Sequence, residues 1–173
     1  MARQQGAADK EFSGEWLVAD ATVEHLATLL EGLSPGVAVS LVEQGNDPAA
    51  VLSNLLACPS LRRLHLLGHG SPGELLLAGE RFTAARFASI LSPIRRTEEL
   101  QICFWSCHTG QGEQGRVLLQ EVADMTGATV FAADGAVGHP DKGGSWQLNV
   151  SARPARLTTK DARSGPIPKP PHT

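Results

Sequence analysis

Short apolar runs alternate with helical patterns along most of this 173-residue chain, and no other feature restricts the fold as much. Glu15–Ala21, Val37–Val42, Leu61–Leu67, Leu100–Trp105 and Thr129–Ala133 have the length and apolar content of strands. Val37–Val42 is apolar almost throughout, the pattern of a strand buried on both faces. The intervening segments read as helices. One is capped by Asp20 or Thr22 and runs to Leu33, with Leu26, Leu29, Leu30 and Leu33 on one face. A second opens at Asp47-Pro48 and runs to Ala57, a third is capped by Thr83 and runs to Leu91, and a long amphipathic one spans Glu113–Met125 with Gly127 closing it. Glu74–Leu77 and Glu80–Phe82 predict a small hairpin around Ala78-Gly79, and Ser145–Val150 a last strand. The expected fold is α/β: a three-layer, open, mostly parallel sheet with helices on both faces.

The length fits one domain. We expect a flexible arm over 1–14, the α/β domain over 15–150, and a tail or linker over 151–173 that carries Pro154, Pro166, Pro168, Pro170 and Pro171. The net charge of −3 is uneven: the tail has five basic residues against one acidic, +4, which leaves −7 elsewhere. A negative body argues against a nucleic-acid partner. No apolar run approaches the ~18 residues of a membrane span, so no membrane partner is expected. No signal peptide is visible and the three cysteines cannot all pair, which predicts reduced thiols in the cytoplasm. A secreted or cell-surface location is expected instead if the domain is a piece of a larger protein.

Two motifs carry chemistry, and each sits at the exit of a predicted strand. Gly68-His69-Gly70 follows one and Ser106-Cys107-His108 follows another, with Cys107 38 positions after His69. That gap is ample for a crossover between parallel neighbours, which needs about a dozen residues. In such sheets ligands sit at the carboxyl ends of the strands. A thiol attacks as its thiolate; a nearby imidazole favours that form, as does a helix N-terminus, and a helix is predicted shortly after Cys107. Glycine lets a substrate approach the backbone closely. The N–H groups of Gly70 and Cys107 are the candidate oxyanion donors.

Two other chemistries would use the same residues. Zinc takes His and Cys, but His65 and Cys103 sit inside strands, four residues or ~13 Å from the motifs. No metal is expected. A serine elbow at Ser71 fails because His69 stands where Gly-x-Ser-x-Gly needs glycine. From spacing alone, a structural and a catalytic role for the two motifs stay about equally open.

The motifs resemble those of the caspase-like clan of cysteine peptidases, above all an uncharacterised bacterial caspase-like domain found near the N-terminus of large surface adhesins. The resemblance rests on residues 64–79, 100–115, 126–138 and 143–150, and covers roughly 15–150. It implies a caspase-like α/β fold, His69 as catalytic acid or base, and Cys107 as nucleophile. The chain departs from that domain at His108, where a smaller polar residue is usual, and in the bulk of Phe104-Trp105-Ser106; His108 thus competes with His69 as partner of the thiol. The clan builds its first substrate pocket at strand ends, so Asp20 and Asp134 are the candidate readers of a basic side chain. The expectation is a cysteine endopeptidase that cleaves polypeptides after basic residues, needs no cofactor, and processes itself or a fused neighbour after Arg153, Arg156 or Arg163. The rival expectation is an inert module of the same fold, a cap or targeting domain of a larger surface protein.

Overall fold

A computed structural model describes residues 13–91, 99–155 and 170–171. Six strands form one sheet in the order β2-β1-β3-β7-β8-β9. These are β1 Glu15–Asp20, β2 Ala38–Val42, β3 Arg63–Leu67, β7 Gln101–Trp105, β8 Thr129–Ala132 and β9 Val150–Ala152. All pairs are parallel except β8 with β9. A second sheet, β4 His69–Ser71, β5 Glu74–Leu77 and β6 Glu80–Phe82, is antiparallel and grows directly out of β3. The helices are α1 Leu26–Glu31, α2 Pro48–Leu56, α3 Ala84–Ile90 and α4 Gly112–Thr126.

Side chains alternate across the main sheet and fill two cores. Val18, Leu64, Leu66, Ile102, Phe104 and Val130 pack beneath α2, α3 and α4. Leu17, Ala19, Leu67, Cys103, Trp105 and Phe131 face the other way, toward α1, Leu148 and Trp146. The chain is therefore a three-layer α/β domain with helices on both faces of a mostly parallel sheet. The layers are unequal: α1 has six residues and none is fully buried.

The local signals act as their chemistry suggests. Asp47 Oδ1 caps α2 by accepting from Ala50 N–H, with Pro48 in the first turn. Thr83 Oγ1 caps α3 by accepting from Arg86 N–H. Gly127 closes α4 in the left-handed region, φ 76°. Ala78 (φ 51°) and Gly79 (φ 82°) turn the β5–β6 hairpin with both φ values positive, as a tight two-residue connection requires.

Three elements differ from expectation. β2 is an edge strand, not a strand buried on both faces; Val39 and Leu41 are 39% and 51% exposed. α1 begins at Leu26 rather than at Asp20 or Thr22: Asp20 caps a turn instead, and His25 just before the helix takes a left-handed backbone (φ 58°) that a continuous helix cannot include. The last strand is Val150–Ala152, not Ser145–Val150: Trp146 and Leu148 pack against the α1-side core, and the ladder forms only beyond them. β9 thus extends into the expected tail. Gln120 Nε2 donates to Arg153 O at 2.7 Å, and Asp124 Oδ1 accepts from Ala155 N–H at 2.8 Å, which ties the segment to α4. Pro171 is buried, and its carbonyl accepts from Ser34 N–H at 2.9 Å. It caps an apolar hollow lined by Leu17, Leu29, Leu33, Leu67, Trp105 and Trp146. Most of the expected arm, and Arg156 and Arg163 of the tail, lie outside the described residues.

Candidate functional site

The strand order reverses between β1 and β3, since the chain adds β2 on one side of β1 and then β3, β7 and β8 on the other. A crevice at the carboxyl ends is expected at such a point. Asp20 closes β1 there, Gly68-His69 follows β3, and Ser106-Cys107 follows β7, the parallel neighbour of β3.

Gly70 brings the two motifs together. A methyl group on it would lie 2.6 Å from Cys107 O and 3.0 Å from Ser106 Cβ, and would collide with Thr109 Oγ1. Only a residue without a side chain lets β4 lie flat on the Ser106–Thr109 turn. Hydrogen bonds fix that contact. Thr109 Oγ1 donates to Glu74 O at 3.1 Å and lies 2.6 Å from Ser106 Oγ, while Gly73 N–H donates to Thr109 O at 3.0 Å. Ser106 and Thr109 are buried, so the turn is held from beneath, whereas His69 is exposed and Cys107 half-buried.

Cys107 Sγ lies against the loop after β8. It accepts from Val137 N–H at 3.3 Å and faces Val137 O at 3.7 Å. No hydrogen bond joins it to His69 among the described residues. His108, beside it, takes a left-handed backbone (φ 61°), uncommon for a residue with a side chain. Its N–H donates to Gly135 O at 2.9 Å, so the turn after β7 and the loop after β8 are laced together. Its ring is exposed and makes no hydrogen bond among the described residues.

His69 is held from the opposite side. Its Nε2 lies 2.8 Å from Thr22 Oγ1. That hydroxyl donates to Asp20 Oδ1 at 2.7 Å, which also accepts from Thr22 N–H at 2.8 Å, while Asp20 Oδ2 accepts from Ala78 N–H at 2.9 Å. Asp20 is only 2% exposed. Burial pushes its carboxyl toward the neutral form, but the bonds from Thr22 and Ala78, with the charge His69 carries when protonated, outweigh burial and hold it below the usual carboxylate range. With both oxygens spent inward, Asp20 does not fit the expected role of substrate reader. Asp134 is exposed at the end of β8, where Asn149 Nδ2 donates to its Oδ1 at 2.9 Å and Asn149 Oδ1 accepts from its N–H at 3.1 Å. Thr22 was missed from sequence: an Asp-x-Thr step after a strand signals a helix cap, and nothing local signals a contact 47 residues away.

Deeper in the same strands His65 and Cys103 stand side by side, wholly buried. His65 Nδ1 accepts from the Trp105 indole N–H at 2.9 Å and its Nε2 lies 2.7 Å from Glu15 Oε2. Since the indole can only donate, the proton of the neutral ring sits on Nε2 and points to Glu15. Burial lowers the His65 pKa against the pull of Glu15. Burial likewise pushes the Cys103 thiol up to about 12.

The fold and this site define an α/β domain whose exposed histidine and half-exposed cysteine follow neighbouring parallel strands beside the switch point. The chain belongs to the family described as a domain of unknown function, DUF4347, whose model matches residues 17–163. No curated protein and no solved structure matches the chain.

Proposed function

We propose that the domain is a cysteine endopeptidase of the caspase-like type. The observation that carries this reading is the packing of Gly70 on the Ser106–Thr109 turn, which sets His69 and Cys107 at adjacent strand ends with a buried polar foundation under both. In the reaction, His69 removes the proton from the Cys107 thiol as sulfur bonds to the peptide carbonyl carbon. The N–H groups of Gly70 and Cys107 hold the oxygen that becomes negative. His69 then returns the proton to the leaving amine as the C–N bond breaks, and water releases the acyl group from sulfur. No backbone carbonyl takes the Cys107 N–H among the described residues, which suits an oxyanion donor. The exposed carboxylate of Asp134 favours a basic side chain before the cut.

The inert-module reading draws on a different observation: Cys107 Sγ is paired with the backbone of Val137 rather than with His69. An arginyl chloromethyl ketone peptide separates the two. Fast, stoichiometric alkylation of Cys107, lost in His69→Ala, supports the peptidase. Equally slow labelling of Cys58 and Cys107 supports the module.

A further inference from the structure

His69 has a second partner that spacing does not reveal. Three atoms in series, Asp20 Oδ1, Thr22 Oγ1 and His69 Nε2, are joined by contacts of 2.7 and 2.8 Å. Protons on this chain have one consistent arrangement. An ionised carboxylate only accepts, and Asp20 Oδ1 already accepts from Thr22 N–H. The single hydroxyl proton of Thr22 therefore goes to Asp20. The lone pair it leaves free accepts from His69, so Nε2 of His69 is the protonated nitrogen. A neutral His69 ring then has one remaining lone pair, on Nδ1.

We infer that Asp20 and Thr22 are positioning residues that lock His69 in its Nε2–H tautomer and make Nδ1 the atom that exchanges the proton with thiol and leaving amine. The chain of bonds works in both halves of the cycle. When Nδ1 takes the thiol proton, the ring becomes an imidazolium whose Nε2–H still points through Thr22 to a buried carboxylate. When Nδ1 gives that proton to the amine, the neutral ring returns to the tautomer from which it started. Nothing has to move on the Thr22 side, and that removes reorganisation from each transfer. Asp20 has a second duty, since its other oxygen takes the N–H of Ala78, a residue with positive φ in the β5–β6 turn. The carboxylate thereby couples the orientation of His69 to the far turn of the three-stranded sheet that begins with it.

The assignment of Nδ1 as the proton-exchanging atom rests on the peptidase reading; the tautomer does not. Thr22→Val tests it well, because it keeps the shape and the Asp20–Ala78 bond while removing the hydroxyl. Long-range nitrogen–proton correlation spectra of 15N-histidine-labelled protein read the tautomer directly, with the His69 signals assigned by their loss in His69→Ala. The expected result is a pyrrole-like Nε2 and a pyridine-like Nδ1 in the wild type, a tautomer mixture in Thr22→Val, and the wild-type pattern again in Thr22→Ser. On an arginyl peptide, Thr22→Val should lower kcat at least about 10-fold, within the wide range that loss of an orienting partner spans, with KM unchanged and Thr22→Ser restoring the rate. A wild-type His69 in tautomer exchange, or identical spectra for wild type and Thr22→Val, overturns the inference whether or not peptides are cleaved. A locked tautomer in a protein that cleaves nothing supports the positioning and overturns the peptidase instead.

Discussion

Two histidine–cysteine pairs lie one within and one just beyond β3 and β7, four residues apart along each chain segment, and their surroundings are opposite. His65 and Cys103 face each other in the middle of the sheet, and His69 and Cys107 follow the strand ends. The inner pair is sealed. Both His65 nitrogens are bonded, one to Trp105 and one to Glu15, and the Cys103 thiol is held neutral by burial. The outer pair is half open. One nitrogen of His69 meets Thr22, and among the described residues Cys107 Sγ bonds only with backbone. Residue type is the same in both pairs. Depth in the sheet, and how many polar atoms are already spent, sets what each can do.

The sharpest way to break this contrast is to remove one sulfur at a time. Cys107→Ala should reduce hydrolysis of an arginyl peptide to background, a loss of at least about a thousandfold, whereas Cys103→Ala should change kcat/KM by less than about threefold. Steady-state rates of the two variants check it, and equal losses would erase the distinction between the pairs. Thiol reactivity comes next. At neutral pH a thiol near 12 carries about three orders of magnitude less thiolate than a free one near 8.5, so Cys103 should resist iodoacetamide until urea unfolds the domain. Peptide mapping of native and unfolded samples reads this directly. Gly70→Ala should then weaken the outer pair's foundation: the added methyl overlaps the Ser106–Thr109 turn, at a cost of about 1–3 kcal/mol in urea unfolding.

The smallest effect belongs to the inner pair and depends on pH. The His65 pKa is depressed on folding, so below about 6.5 the unfolded chain binds a proton that the native ring refuses. Stability should therefore fall as pH drops through that value and level off once the native ring also titrates. Asp20 and Glu15 act in a separate window. Asp20 is lowered against burial by its bonds from Thr22 and Ala78; Glu15 is lowered first by its bond with His65. Their contribution is present above about 4 and is lost as pH falls through the lower native values. Urea midpoints between pH 7.5 and 5.5 should decline in the wild type and flatten in His65→Gln, and an unchanged slope would show that His65 is not the titrating group.

Much of the architecture was legible because it is written locally. Asp47-Pro48, Thr83, Gly127 and Ala78-Gly79 act through atoms a few residues away, and a sequence pattern contains such neighbours. The edge position of β2 was not legible, since an apolar run reads the same whether one neighbour or two will pair with it. Asp20 shows the limit more finely. An acidic residue two before a threonine makes the same short-range bond in a helix cap as in the turn seen here, and only the fold brings Ala78 and His69 to it. The strand-end position of His69 and Cys107 could be read; the lacing of Cys107 to Val137, 30 residues away, could not.

The seat of Pro171 has a consequence of another kind. Ala155 is fastened to α4 beside β9 at one edge of the sheet, and Pro171 is fastened to Ser34 beyond α1 on the other side. While the chain between them is whole, that contact is intramolecular. One hydrolysed bond between residues 155 and 170 would leave every atom of that contact unchanged and yet make it bimolecular. At protein concentrations below the dissociation constant of that contact the cut piece would diffuse away, and the hollow walled by Trp105 and Trp146 would stand open. A single scission in this segment, by whatever peptidase, would under that condition uncover an apolar face.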